Sequence, residues 1–382
     1  MKIFLSFLQS PVKHPVPAYD FWEFYIKNGI QEAGHTYGEC PDVDWALGLV
    51  QQTSESYQQW KEQAWSKTID WLKKHPADMF LSYLYPAMVD EGAIAQIKKM
   101  GIPCVNFFCD NVREFQKAPV EFGVFDLNWV PEYKAVKLYQ KAGYPCINLP
   151  MPIWIDLKLR MVQEENNNQV TFIGSKDIQR QLFFEDVAAK KPALPLAIYG
   201  SGWSADAGGE VAASEGYTTA KKVAYQYKFL KDHGVRPYLR KLSQRKITTA
   251  ITAALKLKIQ GTISFEAYND LTAKSLITVG VNRYPSFNYP LAKPNTYSRL
   301  RDIEAPMLGA CYLTEWTEGL DELYSVGVDI ETYVDADSFI EKVSILTADA
   351  NKRKMLRVNG QKKALQNHGI PQSLTRIIKR LS

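Results

Sequence analysis

Short apolar runs rich in β-branched and aromatic residues alternate along the chain with longer amphipathic stretches, the pattern of strand–helix units around a parallel sheet. In the first part of the chain these runs predict strands at Lys2–Leu8, Asp78–Tyr85, Cys104–Asp110, Asp126–Val130 and Cys146–Leu149. Helical periodicity fills the intervals at Tyr19–Ala33, Ser54–Lys74, Ala87–Met100 and Glu132–Lys141. Gly34, Gly101 and Gly143 each follow one of these helices, where a left-handed C-terminal cap favours glycine. After Leu149-Pro-Met-Pro-Ile and the polar run Glu164 to Gln169 the alternation resumes. Strands are predicted at Val170–Gly174, Leu196–Tyr199, Ser275–Val281, Ala310–Thr314 and Ile330–Tyr333, then a helical tail from Asn351. Leu374, Ile377, Ile378 and Leu381 form an apolar stripe on that tail, which needs a surface to pack on.

The 382 residues suffice for two domains at roughly 150 residues each. The pattern divides them into a doubly wound α/β domain over 1–155, a linker over 156–169, a second α/β domain over 170–360 and a tail over 361–382. Residues 204–261 exceed what a simple crossover requires and are expected to form a mainly helical insertion. With 46% apolar and 23% charged residues, the composition is that of a globular protein and excludes a disordered or collagen-like chain. The early apolar run Ile3 to Leu8 is too short for a bilayer span of about 20 residues, and no small-residue cleavage site follows it. A cytoplasmic protein is expected. The five scattered cysteines form no C-x-x-C pair, so neither a disulfide framework nor a zinc site is indicated.

Charge is uneven. Lys221 to Gln260 carries +10 and Asn351 to Ser382 carries +9, leaving −14 for the remainder. The first of these segments interleaves its cations with Tyr225, Tyr227, Phe229 and Tyr238. Such a surface suits a polyanionic partner, a nucleic acid or an anionic membrane, and equally a solvated helix face. Ile247, Ile251, Leu255 and Ile259 give the same region one apolar face to bury.

Three motifs could carry chemistry. Gln169 to Arg180 reads as strand, glycine turn, helix; Gly174 with Ser175 allows close backbone approach, the helix start offers N–H groups, and Lys176 and Arg180 add cations. A phosphate or diphosphate fits there, although an ordinary tight turn uses the same residues. Ile198-Tyr-Gly-Ser-Gly-Trp follows another strand with Gly200 and Gly202. In Tyr297 to Glu315, Arg301 and Glu304 lie one helical turn apart. The carboxylate there can accept from a ribose diol and the guanidinium can hold a diphosphate, or the two can form a surface ion pair.

The block Arg301 to Tyr333, with Glu304-Ala, Gly309, Leu313-Thr, Leu320-x-x-Leu and Gly327-x-x-Ile-x-x-Tyr, resembles the C-terminal domain of CgeB-like glycosyltransferases of the GT-B fold. Phe172-Ile-Gly-Ser and Tyr199-Gly-Ser-Gly-Trp are similar to segments of that family, as is the looser series Gly101-Ile-Pro, Asp110, Gly143-Tyr-Pro and Leu149-Pro. The resemblance implies two Rossmann-like doubly wound domains facing an interdomain cleft, with a C-terminal helix packing back. It implies transfer of a sugar from a nucleoside diphosphate donor, UDP-sugar foremost, with no cofactor. The donor would be held by Gly174, Ser175, Lys176, Arg180, Gly200, Gly202, Arg301 and Glu304. Where related retaining enzymes carry a glutamate near the transferred sugar, this chain has Thr296.

For acceptor activation an inverting enzyme needs a base, and a histidine assisted by a carboxylate suits neutral pH. His14, after the first strand, and Asp110, ending a later one, are the candidates. No D-x-D triplet stands in a plausible place, since Asp42-Val-Asp44 follows Pro41 in the first domain, away from the expected donor side, so no metal is expected. Two further readings stand beside transfer to an unidentified acceptor. One is a DNA-modifying glycosyltransferase clamping its substrate through the basic insertion. The other is a non-catalytic nucleotide-sugar-binding protein.

Overall fold

Six strands of the first part of the chain, β1 (Lys2–Ser6), β2 (Thr36–Gly38), β3 (Met79–Ser82), β4 (Cys104–Phe107), β5 (Leu127–Val130) and β6 (Cys146–Asn148), pair in the order β2-β1-β3-β4-β5-β6. Every pairing is parallel. Strands β3, β4 and β5 are buried at every position, which is why each appears in the sequence as a mainly apolar run and not as an alternation, with Ser82, Asn106 and Asn128 as the buried polar members. The short β2 is half exposed and has no such signal.

A second all-parallel sheet is built from β7 (Val170–Ile173), β8 (Leu196–Tyr199), β9 (Ile259–Gly261), β10 (Ile277–Gly280), β11 (Tyr312–Glu315) and β12 (Glu331–Tyr333), in the order β12-β11-β10-β7-β8-β9. Numbered from β7, this is the Rossmann order 3-2-1-4-5-6. This computed structural model describes residues 1–14, 19–203, 250–284 and 294–382, together with positions 223, 226, 227, 230 and 235.

The chain makes two compact units, Met1–Ile155 with Gln366–Ser382, and Asp156–Leu365. The boundaries therefore differ from the sequence-based ones. Residues 156–169 belong to the second unit, where Glu165 accepts from the Arg353 guanidinium at 3.0 Å. At the other end, a helix runs through Ala350–Asn367, and the next helix, Ile370–Leu381, docks on the helix Tyr19–Glu32 of the first unit. Of its predicted stripe, Leu374 and Ile377 are fully buried and Ile378 and Leu381 partly so; Ile370, also fully buried, extends the stripe, and Gly29 makes room for it.

Most of the basic segment 221–260 lies outside the described residues. The described positions 223, 226, 227, 230 and 235 and the turn Ala253–Lys256 are helical, whereas its end, Ile259–Gly261, is the edge strand β9. Of the predicted apolar face, Leu255 is buried in the core of the second unit, with Ile251 and Ile259 packed against it, so this part of the face is covered by the protein's own core.

Candidate functional site

In the second sheet the chain leaves β7 toward β8 and leaves β10 toward β11, in opposite directions. The crevice beyond the carboxyl ends of these two neighbours is where a doubly wound sheet binds its ligand. Gly174-Ser-Lys follows β7, and Asn282-Arg283 follows β10.

The two glycine turns interlock. Gly174 N donates to Tyr199 O at 2.8 Å, Lys176 N to Ser201 O at 2.9 Å, and the Trp203 indole N–H to Gly174 O at 2.8 Å. Gly200 has φ 138°, and a Cβ there would overlap the carbonyl of Gly174. The helix Ile178–Lys190 begins differently from expectation: the Asp177 carboxylate accepts from the N–H groups of Gln179 and Arg180, so the helix start is capped from within. Arg180 in turn donates to Ser175 O at 2.6 Å and lies 3.3 Å from the Asp177 carboxylate. The turn is thus a rigid cationic platform bearing Lys176 and Arg180.

Opposite β7, the helix Arg301–Met307 and the turn before it bring Arg299 and Arg301 within electrostatic reach of Arg180. Burial, then the charge of Arg299, pull the Arg180 guanidinium down to about 10. Burial also opposes the charge on Arg301, but Tyr268 and Glu304 outweigh it and raise its pKa. Arg301 stacks on the Tyr268 ring at 5.1 Å, and the Tyr268 hydroxyl donates to the buried Glu304 carboxylate. Arg299 lies over the Tyr297 ring at 4.7 Å and donates from Nη2 to Arg283 O at 3.0 Å. Among the described residues, Arg299 Nε and Arg301 Nη1 are buried without a hydrogen-bond acceptor. Buried N–H groups on cations leave a costly vacancy in hydrogen bonding, and an anion with several oxygens would fill it.

Thr296 pairs with Arg283 in an isolated antiparallel bridge. With Phe183, Arg283, Glu315 and Trp316 it lines a cavity of about 510 Å³. Arg283 makes a bidentate pair with Glu315, Nε donating to Oε2 at 3.1 Å and Nη2 to Oε1 at 2.5 Å.

In the first unit, His14 Nε2 meets Asp44 Oδ2 at 2.6 Å, both side chains largely buried. The carboxylate paired with His14 is therefore Asp44 of the Asp-x-Asp triplet. Asp44 is itself held, through Oδ1, by the N–H of Leu47 at 3.0 Å. Asp110 precedes the short helix Asn111–Glu114 without capping it. Around it lie the buried Tyr83 and Cys109, joined hydroxyl to thiol at 3.2 Å, and the buried Glu132. Burial pushes the Glu132 carboxyl up to about 8, Val112 N–H counters, and the Asp110 charge adds to the rise.

The family model described as glycosyl transferase-like matches residues 179–379, more than half of the chain. The chain belongs to this family. No curated protein sequence matches it. Among solved structures, this glycosyltransferase-family chain is similar over 100% of its length to 98% of sucrose-phosphate synthase from Thermosynechococcus elongatus, at 11% identity and a TM-score of 0.58. It is similar over 99% to 99% of Anabaena HepE, solved in complex with UDP and glucose, at 12% identity and 0.56. A glycosyltransferase from Rickettsia africae aligns over 100% of this chain and 97% of its own, at 9% identity and 0.58. At such identities the likeness is one of fold: two Rossmann-like units with parallel sheets, the GT-B architecture. Among the described residues no helix is long and apolar enough to cross a membrane.

The structure brings Gly174, Ser175, Lys176, Arg180, Gly200 and Gly202 together through the interlocked turns, and sets Arg301 within electrostatic reach of Arg180, with Glu304 joined to Tyr268 beneath Arg301. The motifs do not single out Asp44, Asp177, Tyr268, Arg283, Arg299 or Trp316. Asp177 stands directly before a helical run and carries a cap signal. Arg299 lies inside the motif that contains Arg301, but nothing in the local pattern ranks one arginine over the other.

Proposed function

We propose that the protein transfers a sugar from a nucleoside diphosphate sugar to an acceptor hydroxyl, with the donor held by the second unit and the acceptor by the first. The observation that carries this reading is the pair of buried, acceptorless guanidinium N–H groups of Arg299 and Arg301 beside Arg180. A diphosphate supplies the missing oxygens and the balancing charge. Glu304, which accepts from the Tyr268 hydroxyl, is the carboxylate assigned to the ribose diol. UDP is the favoured nucleotide because HepE, with the same fold, was solved with UDP and with UDP-glucose. Within the family, the pattern from Arg301 to Tyr333 favours the CgeB-like branch.

During transfer the bond from the anomeric carbon to the diphosphate oxygen breaks and the acceptor oxygen bonds to that carbon. The diphosphate leaves with the electron pair, and the guanidinium groups stabilise its charge without requiring a divalent ion. His14, oriented by Asp44, accepts the acceptor proton. The sugar ring is assigned to the cavity beside Thr296, where Trp316 and the Arg283–Glu315 pair offer a stacking face and hydrogen bonds. The acceptor is left to the basic segment and the first unit, in a cytoplasmic setting.

Titration calorimetry with UDP, GDP and dTDP, each run against Glu304→Ala, tests the reading. One nucleotide is expected to bind, and the variant is expected to lose about 1.5–3 kcal/mol, as for a hydrogen bond to a charged group. Binding of none of the three, or equal binding by the variant, overturns the donor site.

A further inference from the structure

Asp302 is fully buried, and among the described residues no cation contacts its carboxylate; it is surrounded by neutral donors. Oδ1 accepts from Asn282 Nδ2 at 3.2 Å, the Tyr312 hydroxyl at 2.9 Å and the Thr314 hydroxyl at 2.9 Å. Oδ2 accepts from Asn282 Nδ2 at 3.0 Å and from the backbone N–H of Arg299 at 2.9 Å. These donors come from the end of β10, from β11 and from the turn that enters the helix Arg301–Met307. Room for them is made by Gly280 in β10, where a Cβ would overlap both the Tyr312 and the Thr314 hydroxyls. Burying a carboxylate this way costs more than an apolar contact of the same volume. The arrangement therefore calls for an explanation beyond stability.

That explanation lies one bond away. The backbone of Arg299 is fixed by Asp302, and its guanidinium by the carbonyl of Arg283. Arg283 is held in its turn by Glu315, which takes the N–H groups of Asn282 and Arg283 at 3.1 and 2.9 Å. We propose that Asp302 is a positioning residue for the donor: it sets the main chain at Arg299, and through it the direction in which the Arg299 and Arg301 guanidinium groups meet the diphosphate. This inference rests on the donor reading above and adds to it the device that aims the arginines.

The test uses the full chain and compares UDP with uridine, by calorimetry and competition, for wild type, Asp302→Asn and Tyr312→Phe. Asp302→Asn keeps the shape but turns an acceptor into a donor among donors, and Tyr312→Phe removes one of the bonds to Asp302. Expected is a loss of UDP affinity of about tenfold in Asp302→Asn and a smaller loss in Tyr312→Phe, with uridine affinity unchanged in both. A merely structural role lowers the melting temperature and either spares both ligands or weakens them equally, and either result overturns the proposal. If Asp302→Asn does not fold, Tyr312→Phe decides on the same criterion. A wild-type chain that binds no UDP fails at the earlier step, overturning the donor reading and this inference with it.

Discussion

Glu132 has no exposed surface, its Oε2 accepts from Val112 N–H at 3.2 Å, and its carboxyl is pushed up to about 8, by burial first. The folded state thus holds a proton that the unfolded chain releases near the ordinary value of 4.5. Stability from this group is complete below about 4.5 and falls as pH rises to about 8, because across that window only the folded state stays protonated. Glu132→Gln carries no such proton, so it is expected to gain on wild type as pH rises from 5 to 9, by roughly 2–4 °C of melting temperature per kcal/mol. Parallel melting curves across that range would sink the assignment. At this scale the sequence is informative where a residue type limits its own chemistry, as with Gly174, Arg301 and Glu304. It is silent where a partner comes from far along the chain. Asp44 is thirty positions from His14, and Tyr268 thirty-six from Glu304. No local pattern links either pair.

Among elements, the turn after β8 shows how a glycine can be required by a neighbouring loop. Gly200 has φ 138° and abuts the Gly174 carbonyl, whereas Gly143, with φ 74°, has nothing within 4 Å of a built Cβ. Gly143→Ala is expected to cost about 1 kcal/mol, the left-handed penalty alone. Gly200→Ala adds backbone overlap and is expected to cost at least twice that, with weaker nucleotide binding because it displaces the Lys176 turn. Urea denaturation of the two variants checks the order, and equal costs would contradict the interlock. The same reasoning explains which strands were legible. Fully buried β3, β4, β5, β7 and β10 appear as apolar runs, while β2 and β9, three residues each, leave no periodic trace; of the equally short edge strands, β6 and β12 were legible. Helix ends were legible through Gly34, Gly101 and Gly143, all with φ between 74° and 78°.

On the scale of the molecule, the first unit is discontinuous in sequence, and the stripe predicted on the tail was legible without its destination. Residues 366–382 complete it by burying Ile370, Leu374 and Ile377 against the helix Tyr19–Glu32. Gly29→Val is expected to push Ile370 out and to raise amide exchange in 19–32 and 370–381 together, leaving the second sheet protected. Exchange rising in one of the two helices alone would refute this coupling. The arrangement also sets an order of assembly during synthesis. Domains ordinarily fold as they emerge, the N-terminal one first. Here the second unit, Asp156–Leu365, has its whole sequence before the first unit can bury the apolar side of Tyr19–Glu32. Residues 1–155 are made before 156–365 yet are closed only once 366–382 have followed, and until then the helix Tyr19–Glu32 is open to whatever chaperone attends the ribosome.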